Sequence, residues 1–347
     1  MIQASRILRS VFVLVIVCSF SSGAFALDEQ VMDAFPTAER PPGKELIKQE
    51  KEYRDWEARG ISVDGYADVQ QGYDNNVDLD SDRHKDGFLQ MTGELEFELE
   101  PTDDLKLTWG SDVFSIIYYQ YNSDNLLDVS PYFKIDYKIT PTLISKNKII
   151  YDCFMYPNQG ENSFNGFYLE SFLRQYLYPN VYHEAGFEYL WRWFQHQRIY
   201  LENAREGNAD RFDKRFRINY NIGVYADKYF IRLSNQISKN DSNDRYQAYY
   251  DYVQYRLRPA IMYFFTDKFY TDVSFTYRYR RYKDRRSTEI IERREQDHNY
   301  IVTGALYYDL TKNITLEAVY SYTENQSNDP FQKYSGNTVV VGAYYGF

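Results

Sequence analysis

Three pairs of arginines stand two residues apart: Arg215 and Arg217, Arg256 and Arg258, Arg278 and Arg280, with Arg232 between the first two pairs. Far upstream, Glu94, Glu96 and Glu98 repeat that spacing with the opposite sign, and Asp64 and Asp68 stand four apart. Side chains two or four residues apart share one face of an extended strand. Such spacing builds ladders of fixed charge rather than a cluster for making and breaking bonds. Two ladders of opposite sign on facing walls impose a transverse field, which orders water and sorts solutes by charge and shape.

Other chemistries find less support. His84, His183, His196 and His298 are the four histidines, and none has a Ser and an acid at a spacing that predicts a catalytic triad. They read as loop or interfacial residues, and no enzyme is expected. Cys153 reads as a small buried hydrophobe rather than a nucleophile. Asp78, Asp80 and Asp82 repeat calcium-ligand spacing, but Arg83 replaces the turn glycine and no Glu follows at the twelfth position. That loop reads as solvated, and neither a metal nor a cofactor is expected.

Strands must carry the ladders. In FLQMTGELEFELE, Leu89, Met91, Gly93, Leu95, Phe97 and Leu99 fall on one face, and Gln90, Thr92 and the three glutamates on the other. About eleven alternating residues is the length of a tilted strand crossing a bilayer. About fourteen such segments run from 61–72 to 336–347, including 130–140, 142–154, 212–225 and 247–264. The pattern is weakest over 130–154, where KITPTLISKNKII alternates poorly. Every second connection is short (PTDD, TPT, PN, AD, TD, TKN), and the others, such as LENAREGNAD and SKNDSNDR, are long and polar. The apolar faces Phe269-Val273-Phe275-Tyr277-Tyr279 and Ile314-Leu316-Ala318-Tyr320-Tyr322 carry no charge. A lipid-facing Arg or Lys at the bilayer midplane costs ~2–4 kcal/mol, so an all-β, closed, antiparallel transmembrane barrel is expected over 61–347.

The N-terminus agrees. Arg6 and Arg9 precede the apolar run VFVLVIVCSF, and Ala24-Phe25-Ala26 supplies a cleavage site, so residues 1–26 read as a secretory signal peptide. Residues 27–60 read as a short periplasmic segment, helical over Lys44–Arg59 or partly disordered. Without Arg6 and Arg9, 38 basic residues face 50 acidic ones, a net charge of −12, which argues against a nucleic-acid partner. Only Cys153 would remain, so no internal disulfide is available to hold the fold.

GYDNNV (Gly72 to Val77), YRYRRYKDRRS (Tyr277 to Ser287), ERREQDHNYIV and YYDLTKNITLEAVYSYTENQSN resemble stretches of outer-membrane β-barrel porins of Gram-negative bacteria. These are Tyr-rich barrels often associated with exopolysaccharide secretion clusters. The final strand, with Tyr345 and the terminal Phe347, resembles the signal read by the barrel-assembly machinery. The resemblance implies a diffusion pore or an exopolysaccharide-secretion-associated channel, and the alternation of short turns with long loops puts both termini in the periplasm. Polysaccharide or small polar solutes would be its cargo. A non-conducting structural or interaction barrel is the alternative, and an integral enzyme on lipid or carbohydrate a further one. Arg285, Arg286, Arg293 and Arg294 would meet either the phosphates of outer-leaflet lipopolysaccharide or plain solvent.

Overall fold

The computed structural model describes residues 60–347 apart from 78, 80–83, 161, 202–204, 247–248 and 288–292. The signal peptide and the lead-in to Arg59 lie outside the described residues, as do Asp78, Asp80 and Asp82. The described chain is almost entirely strand. In order these are β1 (Gly60–Asp74), β2 (Asp86–Thr102), β3 (Leu105–Tyr118), β4 (Leu126–Thr140), β5 (Leu143–Met155), β6 (Phe164–Tyr178) and β7 (Val181–Tyr200). There follow β8 (Glu206–Ala226), β9 (Tyr229–Ser242), β10 (Tyr252–Phe264), β11 (Phe269–Arg286), β12 (Arg294–Asp309), β13 (Ile314–Ser327) and β14 (Tyr334–Gly346).

Each strand pairs antiparallel with its neighbours in sequence, and β1 pairs with β14, so the fourteen strands close into one barrel. The seam runs from Tyr66 opposite Gly346 to Asp74 opposite Thr338. The last residue is in the ladder too: Phe347 N–H donates to the Gly65 carbonyl at 3.0 Å, and Gly65 N–H to that of Phe347 at 3.1 Å. Closure leaves no open strand edge, so the barrel holds without a disulfide among the described residues.

Connections alternate in length. Two to four residues join β2 to β3, β4 to β5, β6 to β7, β8 to β9, β10 to β11 and β12 to β13, and five to eleven join the others. The strands overrun the apolar segments at the long-loop end. The second half of LENAREGNAD is strand rather than loop, because β8 begins at Glu206, and β7 continues to Tyr200, with Arg198 and Asp210 paired across the hairpin at 3.5 Å. Beyond the apolar belt a hairpin needs only paired backbone, so no alternation marks it. Conversely, β10 starts at Tyr252 rather than 247. Ser242 N–H donates to the Asp251 carboxylate at 2.7 Å and the Asn240 amide to the Tyr250 carbonyl at 2.9 Å, which holds Tyr249 and Tyr250 in a turn ahead of it.

Val63, Val69, Met91, Trp109, Ile149, Phe187, Ile218, Ile237, Val273, Leu316 and Val341 are exposed on the outer surface. So continuous an apolar belt is a surface for lipid. The interior face carries aromatic residues at both ends of the barrel. Tyr176, Tyr182, Tyr225, Phe264, Tyr270 and Tyr307 lie by the short turns, and Phe88, Tyr118, Phe154, Phe164 and Phe194 by the long loops. Charged and amide side chains fill the space between.

Candidate functional site

The acidic positions all lie on the interior parity. Asp64 stands opposite Glu96 in the β1–β2 register. Asp68, only 2% exposed, is in hydrogen-bond contact with Glu317 of β13. Gln70 donates to the same Glu317, and Gln90 donates to Gln70 at 2.8 Å. Glu94 and Glu96 share Tyr132 of β4, whose hydroxyl is 2.5 Å from each. Gly110 of β3 makes room for that ring, since a Cβ there would stand 2.3 Å from it. Gly110→Val should therefore displace Tyr132 and cost ~1–3 kcal/mol, as overpacking does. It should lower the temperature at which the barrel unfolds on gels; an unchanged temperature would mean the ring swings aside freely.

The arginine positions also face inward, yet they are not alike. Arg215, Arg278 and Arg280 are 3%, 3% and 1% exposed. Arg280 donates to Gln254 at 3.0 Å and to the Tyr282 hydroxyl at 3.2 Å, with its guanidinium 4.4 Å from the Tyr252 ring centre. Arg215 donates to Asn240 at 3.3 Å, and Arg217 pairs with Glu188 at 2.8 Å. Arg232, Arg256 and Arg258 are half-buried, and Arg256 stands directly opposite Arg278. On the ring, β2 and β9 are seven places apart, so the two ladders occupy opposite walls.

Nearer counter-charges stand beside the acids, on residues the sequence reading passed over. Lys106 pairs with Glu98 at 2.6 Å and Lys134 with Glu96 at 2.5 Å. Glu184 of β7 takes both Lys146 at 3.0 Å and Arg174 at 2.9 Å. Of these, Glu98, Lys106, Lys134, Lys146 and Glu184, with Lys148 and Glu170, line an interior cavity of about 420 Å³ against β2–β7. Lys146 and Lys148 repeat the two-residue spacing of the arginines, so the signal was present in the weakest-patterned stretch.

At the long-loop end, Arg211 is clasped by Asp213 and sandwiched between Phe194 and Tyr250, whose ring centres lie 4.1 and 3.3 Å away. Nearby Asp244 accepts the Tyr200 and Tyr246 amides, and burial raises its carboxyl above the usual range despite them. Arg285 turns onto Glu295 at 2.6 Å and is half-buried, while Arg286 and Arg294 stay exposed and directly opposite each other. His183 contacts Gln175 at 3.2 Å and His298 contacts Tyr277 at 2.9 Å, both on the outer face. Cys153 is buried. Among the described residues no group of His, Cys, Asp and Glu is placed to hold a metal ion.

No protein-family model matches the chain, and no curated protein matches it in sequence. Solved structures do match. OmpT, an outer membrane protein of Vibrio cholerae, is 9% identical with a TM-score of 0.51, covering 84% of this chain and 99% of that one. The outer membrane channel DcaP of Acinetobacter baumannii is 11% identical with a TM-score of 0.50, over 84% and 99%. The fold is that of an outer-membrane β-barrel. At such identities the likeness concerns architecture, and the interior charges must be read from this chain's own residues.

Proposed function

We propose that this barrel is a channel for small polar solutes, with short turns in the periplasm, long loops outside and charged walls of both signs. The observation that carries the reading is the cavity among ion-paired lysines and glutamates, which holds water-accessible charge inside a lipid-facing shell. One barrel of like fold, DcaP, is described as a channel. Purified protein in planar bilayers should give stepwise unitary currents, and silence in repeated reconstitutions would overturn the proposal.

A non-conducting barrel is the second reading. It is favoured by the burial of Arg215, Arg278 and Arg280 and by the aromatic residues at both ends of the interior. The exopolysaccharide role rests on the resemblance of the quoted motifs alone.

Orientation has its own test. Protease added to intact cells should cut between Lys283 and Gln296 and spare Thr311–Asn313. Cleavage at the former only after the outer membrane is permeabilised would reverse the orientation.

A further inference from the structure

Lys148 and Glu170 stand directly opposite each other on β5 and β6, and both line the interior cavity. Opposite charges in register ordinarily close on one another. These do not. The Lys148 ammonium stands 4.0 Å from the Asp112 carboxylate and 4.0 Å from the Tyr132 ring centre. Among the described residues Glu170 makes no ion pair of its own. By contrast Lys134, Lys146, Glu98 and Glu184 are held by close partners. The cavity thus presents Lys148 and Glu170 side by side without a close pair between them, with Phe172 on the same wall and Asp136 a further carboxylate of the lining.

We propose that this cavity is a binding site for a small zwitterion of the amino-acid type. Its carboxylate would take Lys148, its ammonium Glu170, and its carbon stem the Phe172 ring. A singly charged anion would satisfy Lys148 but meet the Glu170 carboxylate. A cation would satisfy Glu170 and meet Lys148. Only a ligand carrying both charges removes both conflicts. The volume accommodates a molecule of amino-acid size with several waters, at ~30 Å³ for each water. The proposal goes beyond the channel reading, because binding requires no current.

The test is calorimetry on the full barrel in detergent, with β-alanine as probe and propionate and propylammonium as controls of like size. β-Alanine should bind saturably and at least about tenfold more tightly than either control. Glu170→Gln should weaken β-alanine about tenfold and strengthen propionate, since the opposing carboxylate is gone. Lys148→Met should weaken β-alanine and strengthen propylammonium. The three-ligand comparison on the unaltered protein needs no variant to fold. Equal affinities for the three probes, no saturable heat, or variants that leave the order unchanged would overturn the site. A silent bilayer experiment would not, so the two proposals fail separately.

Discussion

Replacing Tyr345 and Phe347 by Ser should give a chain that reaches the periplasm but does not enter the membrane. Both rings are about half exposed on the outer surface and lie 6.0 Å apart, so they form part of the belt that meets lipid. The Phe347 ring also lies over Gly65, where a Cβ would stand 2.7 Å from it, so the ring covers a gap in β1. Losing two such aromatics forfeits ~1.5–3 kcal/mol apiece. Deleting Phe347 outright also removes the two backbone bonds that lock it to Gly65, at ~0.5–1.5 kcal/mol each. A few kcal/mol is more than a tenfold loss of folded barrel. The check is the fraction of membrane-extracted protein that migrates as a compact, heat-modifiable band. A fraction equal to wild type would show that the seam closes without its terminal aromatics.

Glu184→Gln should be the most destabilising single substitution in the interior. One carboxylate oxygen serves both Lys146 and Arg174, and the other accepts from Asn221 at 3.3 Å. Arg174 is further fixed 4.1 Å above the Tyr182 ring, so it cannot move out to water. A glutamine keeps the shape and removes the charge, leaving two interior cations uncompensated. Removing one partner of a buried pair costs ~3–5 kcal/mol. Urea unfolding in lipid vesicles would measure it. Adding Lys146→Met should recover part of the loss, because one uncompensated cation goes with it. A variant as stable as wild type would mean that water already screens this pair.

The barrel was legible because its outer faces must be apolar, and an apolar parity is a one-dimensional signal. FLQMTGELEFELE shows it in full, and β2 carries those residues as read. The strand extensions were not legible, since the Arg198–Asp210 hairpin lies beyond the apolar belt and obeys no hydropathy rule. The lysine wall was hidden by its neighbours. Ser145 and Asn147 sit on the outer parity of β5, where the Asn147 amide donates to Ser145 at 3.0 Å and accepts from Ser171 at 2.8 Å. Those polar outward residues blur the alternation that would have placed Lys146 and Lys148 inside. The arginines show a different limit. Spacing tells which face a side chain takes, but not whether that face is packed. Arg280 lies among tyrosines, while Lys148, of the same parity rule, borders a cavity.

The most direct test of a conducting, charge-lined interior is the reversal potential under a salt gradient. Wild type would be compared with Arg256→Ser plus Arg258→Ser, and with Glu94→Gln plus Glu96→Gln. Fixed charges along a narrow passage bias which ion crosses, so removing the arginines should shift the potential toward cation preference. Removing the glutamates should shift it the other way. Opposite shifts of the two variants about the wild-type value are the predicted result. Unitary currents whose reversal potential is the same in all three proteins would contradict it, as would the absence of current in every one.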